Sequence, residues 1–186
     1  DHGQWFAFDA KHRLFAPALA GGALLDLGVY PVAWALDFLG VPDKITAAGQ
    51  LTETGVDGQV SVLLSYGDRA QADLTTTLWA KTPTTSEISG TEGYIRVEPD
   101  FYGPTSFTLV RRNGRTWRFE QPMARTFAHE AAEVARRVAE GASESPLMPW
   151  EGTLAVQRVL DEVRRQVGIA YPGEDPVSGR AATLTP

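Results

Sequence analysis

The longest apolar segment of the chain runs from Gly21 to Gly40, and few polar residues interrupt it. Its apolar side chains lie on nearly all sides of a helix, which is typical of a helix buried in a protein core. Gly40 and Pro42 follow the last turn and end the helix. Pro31 lies in the middle of the segment, where a proline removes a backbone donor and clashes with the preceding turn. We therefore expect a buried helix that is kinked or split near Pro31.

Alternating apolar and polar residues after this helix predict antiparallel β-hairpins. Residues 60–66 and 70–78 alternate on either side of a turn at Gly67-Asp68, and a strand at residues 45–51 precedes them. Two further hairpins are expected, with strands at residues 86–89, 94–97, 107–112 and 116–120. The last of these hairpins turns at Asn113-Gly114, a dipeptide that strongly indicates a hairpin between β-rich runs.

The last part of the chain is predicted to be helical. Apolar residues recur at helical spacing over residues 127–138 and 154–167, and Gly141 and Gly168 end the two runs. A helix, six or seven strands and two helices indicate an α+β fold, with an open-faced, mainly antiparallel sheet and helices packed on one face. We expect one domain over residues 1–172. Residues 173–186, rich in small and turn-forming residues, are expected to form a tail.

Composition and charge remove several classes of function. The 186 residues carry a net charge of −6 and only a weak basic cluster at residues 111–115, so no nucleic-acid binding is expected. The absence of cysteine excludes disulfides and cysteine nucleophiles, and it fits a cytoplasmic protein. The apolar segment is interrupted by Asp26, Pro31 and Asp37. These interruptions favour a buried helix over a membrane span. The three histidines lack the spacing of metal ligands, so no metal site is expected.

Asp26 and Tyr30 are the sharpest candidates for chemistry. They are four residues apart on the predicted helix, so they lie one turn apart on one face. A buried carboxylate needs a partner, and a tyrosine beside it can donate or relay a proton. A tyrosine hydroxyl titrates at about pH 10 in water and needs a nearby cation to act near neutral pH, which no lysine in this helix supplies. A structural interpretation stays open, in which Asp26 caps the turn near Gly21-Gly22 and Tyr30 is a core aromatic residue.

Gly21 and Gly22 precede the predicted helix. Two glycines here allow a phosphate, a carboxylate or a flat ring to approach the helix N-terminus, or they form a tight loop into a packed helix. No Gly-x-Gly-x-x-Gly motif follows a strand, so the chain contains no dinucleotide-binding fingerprint. No serine lies in a Gly-x-Ser-x-Gly motif, and nucleophilic hydrolysis therefore has no support.

Residues 20–31 read AGGALLDLGVYP, and this segment resembles the Gfo/Idh/MocA oxidoreductases. Within that family it is most similar to the branch that contains glucose–fructose oxidoreductase and dimeric dihydrodiol dehydrogenase. Supporting motifs lie at residues 39–42, 54–57, 90–95 and 160–164. The resemblance covers roughly residues 1–172 and implies the C-terminal domain of a two-domain enzyme, without the first strand of its sheet. The other domain would be a Rossmann domain, which binds NAD or NADP and carries a lysine in a Glu-Lys-Pro motif.

The resemblance also implies residue roles. Tyr30 would be the proton donor or acceptor on the substrate hydroxyl, with the lysine of the Rossmann domain as its nearby cation. Asp26 would orient the substrate, Gly21 and Gly22 would let the backbone approach the nicotinamide, and Arg13 would contact the substrate. The implied activity is NAD(P)-dependent oxidoreduction at a hydroxyl of a sugar, polyol or cyclic diol. The 186 residues alone are expected to be inactive.

A non-catalytic alternative concerns the polar face of the predicted sheet. Its serine, threonine and aromatic residues are Ser61, Ser65, Thr75, Thr77 and Trp79. Such a face is either solvated or an interface between copies of the chain. In this alternative the chain is a sheet module for homo-oligomerisation or ligand docking, whatever the role of Tyr30.

Overall fold

The structure is a computed structural model that describes residues 1–122 and 127–174. The helices are α1 (Val29–Leu39), α2 (Ala128–Ala139) and α3 (Trp150–Val167). The strands are β1 (His2–Gly3), β2 (Lys44–Leu51), β3 (Asp57–Tyr66), β4 (Ala70–Thr77), β5 (Ser86–Gly90), β6 (Gly93–Val97), β7 (Phe107–Arg111) and β8 (Thr116–Phe119). Each strand from β2 to β8 lies where alternation predicted one. The α+β class is thereby confirmed.

The strands form two four-stranded sheets, in the orders β1-β4-β3-β2 and β5-β6-β7-β8. Neighbouring strands are antiparallel, except that β1 runs parallel to β4. The chain divides into two compact units: unit 1 comprises Asp1–Thr84 and the chain from Val156, and unit 2 comprises Thr85–Ala155. The sequence predicted one open sheet, and the structure distributes the same hairpins over two sheets. The limits 1–172 and 173–186 stay a prediction.

The core of unit 1 lies on one face of its sheet. The side chains of β3 alternate, and Val60, Val62 and Leu64 are buried while Ser61 and Leu63 are exposed. The same buried cluster includes residues of α1 and of the C-terminal part of α3. Both helices therefore pack on one face of this sheet, as the alternation predicted.

Unit 2 is built from two consecutive hairpins. The turn at Asn113-Gly114 joins β7 to β8, with Gly114 at a φ of +82° that favours glycine. Phe107 and Phe119 are paired across these strands, and their rings stack with centroids 5.0 Å apart. Cross-strand aromatic pairs of this kind stabilise a hairpin.

The long apolar segment is split in two, as Pro31 predicted. Leu24–Gly28 forms a π-helical turn, and α1 follows it directly. Pro31 lies in the first turn of α1, where a missing N–H is best tolerated. At the other end, Gly40 adopts a φ of +82° and donates its N–H to the carbonyl of Leu36 at 2.9 Å, which ends the helix.

Pro17–Leu39 is long and apolar enough to cross a membrane, and no other described helix is. Half of its most apolar window is buried inside the protein. Val32 and Ala35 of α1 belong to the core of unit 1. Packing of α1 on the sheet therefore accounts for the apolar composition of this segment.

The chain folds back on unit 1 after α3. Ile169 is buried, and the hydroxyl of Tyr171 donates a hydrogen bond to the carbonyl of Gly21 at 2.7 Å. Most of the predicted tail, residues 175–186, lies outside the described residues.

Leu63 and Leu64 provide a matched test of which face of β3 is buried. Leu64→Ala should lower the free energy of unfolding by about 2–5 kcal/mol, because it leaves a cavity in the core. Leu63→Ala should change it by about 0.5 kcal/mol or less, because that side chain lies on the exposed face. Urea denaturation followed by tryptophan fluorescence measures both values. Equal losses would contradict the assigned faces.

Candidate active site

Gly21 and Gly22 lie in the tight, buried turn before the π-helical turn. A Cβ on Gly21 would lie 2.7 Å from the carbonyl oxygens of Arg13 and Leu14. A Cβ on Gly22, whose φ is +120°, would lie 2.1 Å from Oδ1 of Asp57. Only glycine fits at both positions, because the protein's own atoms fill the space beside them. The pair thus forms no open cradle for a dinucleotide, and its contact with a cofactor stays a prediction.

A buried carboxylate, that of Asp57, binds the first residue of the π-helical turn. The N–H of Leu24 donates to Oδ2 of Asp57 at 2.7 Å, and Asp57 is fully buried. Burial raises the pKa of Asp57 to about 6, although the N–H groups of Leu24 and Ala23 and the charge of Arg164 act in the opposite direction. Asp57 therefore caps the turn beside the two glycines, a role that the sequence left open for Asp26.

Asp26 lies within the π-helical turn and forms an ion pair with Arg13. Its Oδ1 accepts a hydrogen bond from Nη1 of Arg13 at 2.6 Å, and the two side chains are 25% and 64% exposed. An exposed pair of this kind contributes about 0–1 kcal/mol to stability, so its main effect is to orient the two side chains. Two residues that the sequence proposed for separate roles are thus in direct contact.

Tyr30 is the second residue of α1 and its side chain is 41% exposed, so it is not a core aromatic residue. Its ring packs edge-on against the ring of His2, with the centroids 5.2 Å apart and an angle of 62° between the planes. His2 itself is buried. One side of the phenol therefore contacts the protein, while much of the side chain stays accessible to a ligand.

No cluster of histidine and carboxylate residues in the described parts of the chain could hold a metal ion. The groups that the structure gathers around the π-helical turn are instead a phenol, an ion pair and buried hydrogen-bonding residues. Such groups can bind hydroxyls and move a proton.

Comparison with known families identifies the domain. Residues 1–96, which include the glycine pair, the π-helical turn and Tyr30, match the GFO/IDH/MocA C-terminal domain. The chain belongs to this family. The resemblance inferred from residues 20–31 is therefore confirmed.

Curated relatives include members of the family with named activities. A trans-1,2-dihydrobenzene-1,2-diol dehydrogenase from Xenopus tropicalis is 36% identical over 171 residues, which are 86% of this chain and 51% of the relative. An NADP(+)-dependent D-xylose 1-dehydrogenase from Hypocrea jecorina is 29% identical over 197 residues, covering 92% of this chain and 50% of the relative. The chain spans about half the length of the curated relatives it matches.

Solved structures share the fold. An aldose-aldose oxidoreductase from Caulobacter crescentus, complexed with glycerol, matches with a TM-score of 0.74 at 19% identity, over 90% of this chain and 51% of that one. A 3-ketoreductase from Actinomadura kijaniata, in complex with NADP and TDP-benzene, matches with a TM-score of 0.69 at 27% identity, over 79% of this chain and 46% of that one. The α+β fold of this chain is thus the fold of the family's C-terminal domain.

Sequence reasoning did not assign His2, Asp57 or Tyr171 to this site. Asp57 was visible only as the last residue of a motif that carried the family resemblance. His2 and Tyr171 lie far from the π-helical turn in sequence, and no local pattern connects them to it. Burial raises the pKa of Tyr171 to about 12, so its hydroxyl is a stable donor to the carbonyl of Gly21.

The raised pKa of Asp57 predicts a pH dependence of stability. Its pKa is about 6 in the folded protein, above the ordinary value of 3.8. Between these values the folded protein keeps a proton that the unfolded chain has released. The contribution of Asp57 to stability is therefore largest below about pH 4 and is lost as the pH rises through 6, a change of about 3 kcal/mol.

Asp57→Asn tests this dependence, because it retains an acceptor for the N–H of Leu24 but does not titrate. The free energy of unfolding of the variant minus that of wild type should rise by about 3 kcal/mol between about pH 4 and pH 7. Urea unfolding at several pH values measures the difference. Parallel stability curves for the two proteins would show that Asp57 does not titrate in this range.

Proposed function

We propose that this chain is the substrate-binding half of an NAD(P)-dependent oxidoreductase. The enzyme moves a hydride between the nicotinamide and a carbon that bears a hydroxyl, in a sugar, a polyol or a cyclic diol. The observation that carries the proposal is the accessible phenol of Tyr30 at the start of α1, which directly follows the π-helical turn that holds Asp26 of the Arg13–Asp26 ion pair. The named activities of the relatives, which are diol and sugar dehydrogenases, support it.

The cofactor of the proposed enzyme is NAD or NADP. One relative is named as NADP(+)-dependent, and the 3-ketoreductase was solved with NADP. When bound, the nicotinamide supplies or accepts the hydride. This chain has no glycine-rich fingerprint, and its own atoms fill the space beside Gly21 and Gly22. We therefore assign most of the cofactor binding to a Rossmann domain outside these residues.

Tyr30 is the proton donor or acceptor in this proposal. Its hydroxyl donates a proton to the substrate oxygen when a carbonyl is reduced, and accepts that proton when an alcohol is oxidised. The accessible phenol can reach a bound substrate, whereas the buried hydroxyl of Tyr171 is already bonded to Gly21. Among these two tyrosines, only Tyr30 combines exposure with a position in the family segment.

The Arg13–Asp26 pair orients the substrate in this proposal. Asp26 offers carboxylate oxygens as acceptors, and the guanidinium of Arg13 carries N–H donors in addition to the one bonded to Asp26. A substrate with two neighbouring hydroxyls can place one at Tyr30 and the other at this pair. The substrates in the names of the two relatives, a dihydrobenzene diol and a pentose sugar, both carry neighbouring hydroxyls.

Replacement of Tyr30 tests the assignment in the full-length protein. Tyr30→Phe should lower kcat by about 10²–10⁴-fold, because the proton donor is lost while the ring is kept. The Kd for NADPH, measured by fluorescence titration, should stay unchanged. Tyr94→Phe, in β6 of unit 2, is the control and should leave kcat unchanged. A near-normal rate for Tyr30→Phe would remove this role.

We also propose that the protein forms a homo-oligomer through the outer face of the unit 1 sheet. Cross-strand pairing places Ser61 opposite Thr75 and Leu63 opposite Asp73 on this face. Leu63 is 37% exposed among small polar neighbours, a composition that suits close contact between two sheets. Thr77 is buried, so it adds no exposed surface to the face.

A cytoplasmic location is part of the same proposal, supported by the absence of cysteine.

Leu63→Arg tests the interface, because it places a long charged side chain in the middle of the proposed contact. Sedimentation velocity should show a shift of the full-length protein from oligomer to monomer. Leu147→Arg, at an exposed leucine of unit 2, is the matched control and should leave the oligomer intact. An oligomer that withstands Leu63→Arg contradicts this interface. Loss of the oligomer in Leu63→Arg together with full activity of Tyr30→Phe favours the alternative of a non-catalytic sheet module.

A further inference from the structure

Pro31 leaves one carbonyl of the split helix without its α-helical donor. In an α-helix the carbonyl of Leu27 would accept the N–H of residue 31, and proline has none. The N–H of Val29 points to this oxygen from within the turn. The long-range donor is His2, whose Nδ1 lies 3.2 Å from the Leu27 oxygen. A residue of β1 thus binds the helix where it is broken.

The surroundings of His2 determine its tautomer. Burial has the largest effect and lowers the pKa of His2, which favours the neutral ring, while the hydrogen bond to Leu27 acts in the opposite direction. Because a carbonyl oxygen only accepts, Nδ1 must carry the hydrogen. Nε2 is then an acceptor, and the side-chain amide of Gln4 lies 3.4 Å from it.

The same ring contacts Tyr30. Its edge-on packing, with centroids 5.2 Å apart, is a favourable arrangement for two aromatic rings. His2 is in turn fixed to the sheet, because β1 pairs with β4 and His2 lies opposite Thr76. One imidazole therefore connects the sheet, the carbonyl of Leu27 and the phenol ring.

We infer that His2 is a positioning residue for Tyr30: its hydrogen bond to Leu27 and its contact with the phenol ring together determine where the Tyr30 hydroxyl lies. The inference rests on the proposed function, in which Tyr30 transfers the proton. His2 is buried and acts through Tyr30 rather than on the substrate. Its two tasks require a hydrogen-bond donor and a flat ring on one side chain.

Two substitutions in the full-length protein separate these tasks. His2→Phe keeps a ring but removes the donor, and His2→Asn keeps a donor near the position of Nδ1 but removes the ring. Each should lower kcat roughly 10- to 100-fold, because a small misplacement of a reacting group has effects of this size. The Kd for NADPH, measured by fluorescence titration of the same samples, should stay within about twofold of wild type, since no cofactor contact changes.

A double-mutant cycle distinguishes positioning from general support of the fold. In a Tyr30→Phe background, His2→Phe should lower kcat by less than about twofold, because the hydroxyl that it positions is already gone. A merely structural role would lower kcat by the same factor in both backgrounds. Urea unfolding followed by tryptophan fluorescence checks that each variant is folded, and His2→Asn, which keeps the hydrogen bond, supplies the measurement if His2→Phe fails to fold.

The outcomes separate the two proposals. If Tyr30→Phe alone leaves kcat unchanged, the proposed function of Tyr30 fails and the role of His2 fails with it. If Tyr30→Phe lowers kcat but both His2 variants retain the wild-type rate, the positioning role is overturned and the role of Tyr30 stands. Equal effects of His2→Phe in both backgrounds overturn it in the same way.

Discussion

The hydrogen bond from Leu24 to the buried carboxylate of Asp57 joins β3, an inner strand of the unit 1 sheet, to the helical segment that carries Tyr30. Asp57 begins β3, and its side chain occupies the space that any Cβ on Gly22 would need. Tyr171, near the other end of the chain, donates a hydrogen bond to the carbonyl of Gly21. Tyr171 and Asp57 thus hold two consecutive residues of the turn, Gly21 by a hydrogen bond and Gly22 by close packing. A charge buried at this point costs stability at neutral pH, and the capping bond partly offsets that cost.

A π-helical turn has weaker intrinsic bonding than an α-helix, and it persists where tertiary contacts stabilise it. Here the contacts come from both ends: Asp57 accepts from the first residue of the turn, and His2 donates near its last. Both partners lie on strands of one sheet. The rigid sheet rather than the helix therefore determines the path of the segment between Leu24 and Tyr30. Sites built on such elements are placed more accurately than sites on loops.

Local rules predicted most of the strands and helices but little of the site. Alternation predicted β3 and β4 because one face of the sheet is buried, and Gly40 predicted the end of α1 because the turn there requires a positive φ. The π-helical turn could not be predicted, because its partners are remote in sequence. The spacing of Asp26 and Tyr30 suggested a buried pair, whereas Tyr30 is exposed and Asp26 forms its ion pair with Arg13. α3 begins at Trp150, earlier than its apolar periodicity suggests, because its first turn is exposed.

Unit 1 is discontinuous in sequence, and this has a consequence for biosynthesis. All of unit 2 lies between β4 and the part of α3 that enters the core of unit 1. Val159, Leu160 and Val163 are among the most buried residues of that core. A chain emerging from the ribosome therefore exposes the apolar face of β3 until α3 has been made. Unit 2 is continuous in sequence, so all of it has been synthesised before the part of α3 that completes the core of unit 1.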